Sequence, residues 1–363
     1  MEIQTEKKIY KLGVVGLGEG RSIMSASLNS PQWELHTVCD LNEELCRKRS
    51  EEFSFTNWTT SYEEMLQNPE IDVIAIYTPD QLHQRHISQA LQANKHVICT
   101  KPLLTSLEGA KELLDLVNGS DRKVFVGQSS RFFEGMLHQR RDYEAGRHGE
   151  LETLEAQYIT DARWFLERDW SRQKGFSWMY NFMIHAVDLV RWYMPGVTEV
   201  TGYGKISANS RSRGIEAWDS LRFLLQDEEG RIAEVAGNYT MPTLGELVEP
   251  SISCLLRGTE GTSRAEYSKL SYHTHFTGED PQSYSYDDKR GYYFRFEGNS
   301  HHAGEYQNYI EYFADCLDRG ETPLPDAAEA IRTLALMEAM ELSAQQGGVK
   351  VRIDDIMTKY GLN

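Results

Sequence analysis

Near its N-terminus the chain reads Lys8-Ile-Tyr-Lys-Leu-Gly-Val-Val-Gly-Leu-Gly-Glu-Gly-Arg21, and this stretch decides the fold. An apolar strand, residues 12–15, runs directly into glycines at 16, 18 and 20, and a helical pattern follows over residues 22–28. A strand, a glycine turn and a helix start can wrap a pyrophosphate, because the glycines let the backbone approach and the helix N-terminus offers free N–H groups. The alternative interpretation is a glycine-rich turn after a buried strand, without any ligand.

The second predicted strand, residues 33–39, ends in Asp40, 24 residues after Gly16. A carboxylate at about this spacing accepts hydrogen bonds from the adenosine ribose of NAD and would repel the 2′-phosphate of NADP. We therefore expect NAD to be favoured over NADP. An acid that caps the next helix is the alternative for Asp40, and the basic run Arg47-Lys48-Arg49 leaves the binding of NADP open.

Composition and charge exclude several classes of partner. The 363 residues include 38 basic and 55 acidic side chains, for a net charge of −17. Such an acidic surface argues against nucleic acid and anionic membranes as partners, and no apolar run approaches the ~20 residues needed to cross a bilayer. The first eight residues lack the apolar segment of a secretory signal. Five cysteines, odd in number and without a C-x-x-C pair, indicate reduced thiols in a cytoplasmic protein.

Strands and helices alternate over the first third of the chain. The predicted strands lie near 10–15, 34–39, 71–77, 96–100 and 123–127, and the predicted helices near 22–29, 42–53, 61–67, 81–93 and 106–118. This alternation is typical of a doubly wound parallel sheet, whose ligands bind at the carboxyl ends of the strands. Thr105 and Glu108 are predicted to form a capping box at the start of the fifth helix.

The pattern changes after residue 127. A helical region to about residue 147 precedes strands near 153–160, 198–207, 218–226, 231–239, 251–257 and 262–267, with a helix at 178–193 between them. Leu221, Phe223 and Leu225 share one strand face, which is typical of an antiparallel open sheet with one buried side. Residues 272–302 are predicted as a long loop, 305–319 and 326–346 as helices, and the tail 347–353 as a short strand.

We therefore predict an α/β protein of two domains. Residues 1–127 would form a Rossmann-type NAD-binding domain with a doubly wound parallel sheet. Residues 128–363 would form an α+β domain with a large, mostly antiparallel open sheet, for substrate binding and oligomerisation. The helices within 305–346 are candidates for packing back toward the first domain.

Two further motifs follow strand ends in the first third. They read Tyr77-Thr-Pro-Asp-Gln-Leu-His83 and Lys95-His-Val-Ile-Cys-Thr-Lys101-Pro102. With the glycine turn, this arrangement resembles the Gfo/Idh/MocA family, named for glucose–fructose oxidoreductase and inositol dehydrogenase, which typically shows T-P-N-x-x-H and then G-K-H-V-x-x-E-K-P. The chain departs from that pattern at Asp80, Asn94 and Thr100, where the family usually has Asn, Gly and Glu.

The residues and the resemblance together assign a cofactor site for NAD, with NADP less favoured. Its predicted contacts are Gly16, Gly18, Glu19, Gly20, Arg21, Asp40, Thr78, Pro79, His83, Thr100, Lys101 and Pro102. Arg21 stands where the third glycine of G-x-G-x-x-G would be, and the resemblance places His83 near the nicotinamide.

Lys101 is the first candidate for chemistry. The following proline disfavours helix at this position, so the lysine is held extended at a strand end. Its ammonium can donate a hydrogen bond to a substrate hydroxyl as hydride leaves the carbon. In the family that the chain resembles, this lysine is catalytic and the Lys–Pro bond is often cis. A surface lysine at a strand end is the alternative interpretation.

The helical segment 175–192 carries the second group of candidates. Asn181, His185, Asp188 and Trp192 are spaced four, three and four residues apart, which predicts one stripe of a helix. The family pattern G-G-x-x-x-D-x-G-x-H-x-x-D matches at His185 and Asp188, while Asn181 replaces an Asp. The resemblance makes His185 the general base for the hydroxyl proton, with Asn181 orienting the substrate. A core histidine is the alternative, and Asp188 is assigned to holding the helix or orienting His185.

Asp161, Arg163 and Trp164 follow the first strand of the second domain. In the family that the chain resembles, residues at this place can face the sugar. A polar sheet edge is an equal alternative. The pairs His83-x-x-His86 and His301-His302 could bind a metal ion, but no carboxylate or cysteine lies at ligand spacing from them. We therefore expect no metal site.

The sequence thus predicts a cytoplasmic NAD-dependent oxidoreductase for a sugar, cyclitol or related polyol, with Lys101 and His185 handling the hydroxyl proton. Two alternatives stay open: an NAD-dependent glycoside hydrolase of the same fold, and a non-catalytic sugar or nucleotide sensor. Because the second domain has more strand than helix to cover it, we also expect a homodimer or homotetramer through its sheet.

Overall fold

The computed structural model describes residues 8–168, 175–245, 248–267, 269–286 and 304–363. It divides into two compact units, the first comprising Met1–Phe132 and Lys289–Ile331, and the second Phe133–Asp288 and Arg332–Asn363. Each unit has its own sheet.

The first unit alternates strands and helices, as the sequence predicts. Its elements are β1 (Tyr10–Val15), α1 (Arg21–Asn29), β2 (Trp33–Cys39), α2 (Glu43–Phe53), β3 (Trp58–Thr59), α3 (Tyr62–Gln67), β4 (Val73–Ile76), α4 (His83–Gln92), β5 (His96–Thr100), α5 (Ala110–Asn118) and β6 (Val124–Gly127). The six strands form a parallel sheet in the order β3-β2-β1-β4-β5-β6. The order reverses beside β1, so the carboxyl ends of β1 and β4 border the crevice where doubly wound sheets bind ligands.

The predicted capping box at Thr105 and Glu108 is wrong. Helix α5 begins at Ala110, and its N-cap is Gly109 with φ +76°, a left-handed conformation that favours glycine. Thr105 and Glu108 both lie before the helix and are exposed. The short strand β3 was also not predicted.

The second unit is built on a nine-stranded sheet. Its elements up to residue 286 are α6 (Glu134–Glu144), β7 (Leu151–Ile159), α7 (Ile184–Tyr193), β8 (Val197–Lys205), α8 (Ala208–Arg211), β9 (Ser220–Asp227), β10 (Ile232–Asn238), β11 (Ile252–Gly258), β12 (Gly261–Glu266), β13 (Ser271–Phe276) and β14 (Gln282–Ser285). The strands β13 and β14 correct the prediction of one long loop over 272–302; residues 287–303 lie outside the described part of the chain.

The chain ends with α9 (Glu305–Arg319), α10 (Ala327–Gln345), β15 (Val351–Arg352) and α11 (Ile353–Lys359). The predicted tail strand is therefore only two residues long, and a helix follows it. The second sheet has the order β14-β13-β12-β11-β7-β10-β9-β8-β15, with β10 parallel to β7 and the other neighbours antiparallel.

One face of the second sheet is buried and the other is not. Leu221, Phe223 and Leu225 on β9 are each 1% exposed, which confirms the predicted shared face, whereas Leu224 between them is 52% exposed. Helix α7 packs on β7, β10 and β11, and α6 packs on β12 and β13. This alternation is what a sheet with one covered side requires.

Helix α9 belongs to the first unit and completes its core. The indole Nε1 of Trp33 donates to the carbonyl of Ile310 at 3.0 Å, and Phe313 stacks on both Trp33 and Phe125. These large rings are buried, and α9 also packs against α1.

Candidate functional site

The glycine turn after β1 has the backbone that its sequence predicts. Gly16 has φ +87°, and a Cβ there would overlap the carbonyl of Tyr77. A Cβ on Gly20 would meet the carbonyl of Gly16, whereas a Cβ on Gly18 would meet nothing within 4 Å. Gly16 and Gly20 are thus required by the fold itself, while Gly18 is exposed and borders open space.

Asp40 holds the glycine turn from the end of β2. Its Oδ2 accepts from the N–H of Leu17 at 2.9 Å, and its Oδ1 accepts from the N–H of Asn42 at 2.9 Å. The cap of α2 is Asn42, whose side chain accepts from Leu45 N at 3.1 Å. The carboxylate can accept further hydrogen bonds, since each oxygen has two lone pairs.

Three arginines around this strand end are engaged with carboxylates. Arg21 bonds Glu52 through both Nε, at 2.6 Å, and Nη2. Arg49 bonds the same carboxylate through Nη1 at 2.7 Å, and Arg47 pairs with Glu43 at 2.5 Å. The glutamates were not among the predicted site residues, although Glu52 lies three residues after Arg49, within the spacing of helical ion pairs.

His83 joins two of the predicted loops. Its ring is fully buried, with Nε2 2.9 Å from the carbonyl of Thr78 and Nδ1 2.8 Å from the carbonyl of Pro102. The hydroxyl of Thr78 lies 3.0 Å from Nδ1 of His86. The structure therefore brings Thr78, His83 and Pro102 together, with both ring nitrogens of His83 used by backbone groups.

Lys101 follows β5 directly, and its bond to Pro102 is cis. Burial lowers the pKa of the Lys101 ammonium, while the carboxylates of Asp80 and Glu19 oppose that shift. Burial raises the pKa of Asp80, against the attraction of His83 and Lys101. The aspartate that replaces the usual asparagine thus provides a negative charge near Lys101.

The second unit holds the other candidates on a segment that is not a regular helix. Residues Met179–Met183 form a π-helical turn, and α7 continues from Ile184. The 3.6-residue period used to place Asn181 on one stripe with His185 therefore does not apply over this turn. Asn181 and His185 are half-buried, whereas Asp188 is fully buried.

Aromatic rings surround His185 and the π-helical turn. The ring of Tyr158 on β7 contacts His185 edge-on at 5.8 Å, and burial raises the pKa of Tyr158 to about 12. Trp178 is fully buried and stacks on Tyr239, with 5.3 Å between centroids and 8° between planes. Packing against these rings holds the segment in place.

Asp161, Arg163 and Trp164 lie together after β7. Arg163 donates to both carboxylate oxygens of Asp161, at 2.8 and 2.6 Å, at the start of a 3₁₀ turn. Trp164 is 58% exposed, and the guanidinium of Arg168 lies 4.8 Å from its ring. Their role toward a substrate stays a prediction.

Within the described ranges, no group of three or more His, Cys, Asp or Glu side chains is placed to hold a metal ion. The pair His301-His302 lies outside those ranges. Nor does any helix in the described part of the chain have the length and apolar character to cross a membrane.

Leu41 is a candidate that the sequence analysis missed. It follows Asp40 directly and is 89% exposed. A large apolar side chain at the carboxyl end of β2, next to Asp40, is suited to contact the adenine ring of a nucleotide. The signal in the sequence was an apolar residue between two polar ones, Asp40 and Asn42.

Comparisons with known proteins agree with this geometry. Residues 10–128 match the model of an oxidoreductase family's NAD-binding Rossmann fold, and residues 144–353 match the C-terminal alpha/beta domain of the same family. The scyllo-inositol 2-dehydrogenase (NAD(+)) of Bacillus subtilis is 24% identical over 355 residues, and the match covers 98% of each chain.

Other relatives are matched over a shorter range. A 1-carboxy-3-chloro-3,4-dihydroxycyclohexa-1,5-diene dehydrogenase of Comamonas testosteroni is 26% identical over 209 residues, 56% of this chain and 53% of that protein. An uncharacterised oxidoreductase of Schizosaccharomyces pombe is 29% identical over 213 residues, 56% and 54% of the two chains. The chain thus spans about half the length of these two relatives.

Among solved structures, levoglucosan dehydrogenase in complex with NADH superposes with a TM-score of 0.82. The superposition covers 95% of this chain and 99% of that one, at 19% identity. At this identity the likeness shows a shared fold.

Proposed function

Since the chain belongs to the Gfo/Idh/MocA oxidoreductase family, we propose that it is an NAD-dependent dehydrogenase acting on a hydroxyl of a sugar, cyclitol or related polyol. The observation that carries the proposal is the family match over both domains, together with a first unit whose glycine turn, Asp40, Thr78 and Lys101 all follow strand ends. The name of the full-length relative from Bacillus subtilis supports a cyclitol or sugar as substrate class.

The residues of the first unit fit the cofactor. Gly16 and Gly18 would let the backbone approach the pyrophosphate, Asp40 would accept from the adenosine ribose, and Thr78 and Pro102 would border the nicotinamide. Glu19, Gly20, Arg21, Pro79, His83 and Thr100 complete the proposed surroundings. When bound, NAD supplies the carbon that accepts hydride from the substrate.

Lys101 and His185 would handle the proton. As the C–H bond of the carbinol breaks and its electron pair leaves with the hydride, the O–H proton must be removed to form the ketone. The Lys101 ammonium would donate a hydrogen bond to the hydroxyl oxygen and stabilise developing alkoxide, and His185 would accept the proton. Asn181 can orient a second hydroxyl but cannot take a proton. Asp161, Arg163 and Trp164 are the proposed substrate contacts beyond the reacting carbon.

The experiment is a panel of polyols, sugars and sugar acids offered to the purified protein with NAD, followed by NADH absorbance. The proposal predicts turnover on at least one cyclitol or sugar. Release of an aryl group from glycosides without net NADH would instead identify the hydrolase. Binding of sugar and nucleotide without any turnover would identify a sensor.

Asp40 supports a preference for NAD. Replacing Asp40 with Ala removes the ribose acceptor and also the bond to Leu17 N, so NAD affinity should fall by about tenfold and the gap to NADP should narrow. Calorimetric titration of both nucleotides measures this. Equal affinity of the wild-type chain for NAD and NADP would contradict the proposed contact between Asp40 and the ribose.

We also propose a homodimer or homotetramer through the uncovered face of the second sheet. Tyr203, Leu224 and Ile232 lie on that face and are 65%, 52% and 46% exposed. Together they expose a large apolar area to water. Light scattering at micromolar concentration tests the assembly, and a monomer would contradict it.

The five cysteines are all buried free thiols, which supports the proposed cytoplasmic location.

A further inference from the structure

Two arginines beside the glycine turn share one carboxylate. Glu52, in the last turn of α2, accepts from Nε of Arg21 on Oε1 at 2.6 Å and from Nη1 of Arg49 on Oε2 at 2.7 Å. The side chains of Arg21, Arg49 and Glu52 are 28%, 11% and 18% exposed. We call these three residues the Glu52 cluster. It connects the start of α1 to the end of α2.

The Glu52 cluster is also bonded to the turn itself. Nε of Arg49 donates to the carbonyl of Leu17 at 3.0 Å, while the N–H of Leu17 donates to Asp40 at 2.9 Å. The backbone of one residue of the glycine turn is therefore bonded both to a cation and to an anion. The Glu52 cluster and Asp40 consequently both contact Leu17.

We propose that Glu52 determines the choice between NAD and NADP by keeping Arg21 and Arg49 engaged, so that neither guanidinium is available to a 2′-phosphate. This inference rests on the proposed use of NAD. A phosphate is bound most strongly by guanidinium groups, whose paired N–H donors match its oxygens. In this chain both guanidiniums near the turn donate to Glu52, and the neighbouring Leu41 offers no donor.

The charges of these side chains also disfavour NADP. The two arginines and the two carboxylates, Glu52 and Asp40, sum to zero, so these four side chains together offer no net attraction to the additional charge of NADP. Removing the Glu52 charge leaves one net positive charge and two arginines without their shared acceptor. Because the arginine side chains are long and can turn toward a new anion, the added phosphate would then gain partners.

The experiment titrates the full-length protein with NAD and with NADP by calorimetry. In Glu52→Gln, the ratio of the dissociation constants, NADP over NAD, should fall by about tenfold, the size of one new charged contact near a protein surface. Glu51→Gln is the matched control, because Glu51 is its exposed neighbour on the same helix and the change in net charge is identical. Its ratio should stay within about twofold of wild type.

The remaining variants identify the responsible cation. Adding Arg21→Gln and Arg49→Gln to Glu52→Gln should restore the wild-type ratio. If Glu52→Gln shows no cooperative melting transition and is therefore not folded, Arg21→Gln tests the same idea by removing a cation instead of the carboxylate. It leaves Glu52 with Arg49 alone and removes a cation, so the ratio should rise severalfold.

An unchanged ratio in Glu52→Gln, with NAD still bound, overturns the inference and leaves the proposed function intact. Equal shifts in Glu51→Gln and Glu52→Gln overturn it as well, since bulk charge would then be the cause. An unchanged ratio in Arg21→Gln has the same consequence. Failure of the wild-type chain to bind either nucleotide would instead defeat the proposed function, and this inference with it.

Discussion

Asp40 and His83 of the first unit contact backbone groups, whereas His185 of the second unit contacts an aromatic ring. Asp40 bonds the N–H of Leu17, and His83 lies between the carbonyls of Thr78 and Pro102. The ring of His185, by contrast, contacts Tyr158 edge-on, and Trp178, just before the π-helical turn, stacks on Tyr239. A hydrogen bond fixes the position of single atoms at the end of a strand, whereas packing between aromatic rings fixes the position of a whole segment. The two regions should therefore respond differently to substitution.

The largest effect is expected for the two residues that are proposed to move the proton. Lys101→Met and His185→Ala should each lower turnover by about 10²–10⁴-fold, the usual loss for a positioned proton-transfer group, while NAD affinity changes little. Steady-state kinetics with the best substrate and calorimetry with NAD measure the two quantities. Lys111→Met, at an exposed lysine of α5, and His275→Ala, at an exposed histidine of β13, are the controls. Near wild-type turnover in Lys101→Met would contradict the assigned chemistry.

The second effect separates ring packing from polar anchoring. Trp178 is fully buried against Tyr239, so Trp178→Ala should lower the free energy of unfolding by about 3–5 kcal/mol. Trp164→Ala is the matched control, because Trp164 is 58% exposed and its loss should cost less than about 1 kcal/mol. Denaturant unfolding of both variants measures the difference. Equal losses would mean that Trp178 does not support the π-helical turn.

The third effect lies in the glycine turn and divides stability from binding. Gly16→Ala puts a Cβ against the Tyr77 carbonyl at φ +87°, so it should cost about 1–3 kcal/mol of stability. Gly18→Ala meets no protein atom within 4 Å and should melt as wild type does. If the pyrophosphate lies there, however, Gly18→Ala should still weaken NAD binding severalfold. Melting and NAD titration on the same samples test both statements.

The smallest effect is a pH dependence in the second unit. Burial lowers the pKa of His148 to about 4, below the ~6.5 of an unfolded histidine. The unfolded chain therefore binds this proton first, and stability should fall by roughly 1–2 kcal/mol as the pH is lowered from 7 to 5. His148→Gln should remove that part of the slope, whereas His275→Gln, at an exposed site, should leave it. Thermal melts across this range are the measurement, and identical slopes in all three proteins would contradict it.

The first unit was predicted well because its signals are local. The strand at 10–15, the turn at Gly16 and the acid at Asp40 each follow from short runs of sequence, and the structure places them as expected. The error at Thr105 and Glu108 has a local cause too. Their spacing fits a capping box, but the helix begins only at Ala110, directly after the left-handed Gly109.

The second unit was predicted less well because its details depend on packing. The π-helical turn at Met179–Met183 leaves no periodic signal, since it forms where Trp178 packs against distant Tyr239. Strand β14 lies at the edge of the sheet and all four of its residues are exposed, so it lacks the alternation by which strands are recognised. Strand β13 has only two apolar residues, Tyr272 and Phe276, on its buried face. The roles of Asp161, Arg163 and Trp164 depend on a substrate that local sequence does not name.

The position of α9 constrains how the protein can be made. Helix α9 of the first unit is formed by residues 305–319. The ring of Trp33 can therefore contact Ile310 and Phe313 only after most of the chain has been synthesised. During translation the N-terminal third therefore presents an uncovered apolar surface to the cell, which makes it a candidate for chaperone binding. A fragment ending at residue 132 would keep that surface exposed, so a separately expressed cofactor domain needs α9 supplied, for instance by a linker joining residue 132 to 304.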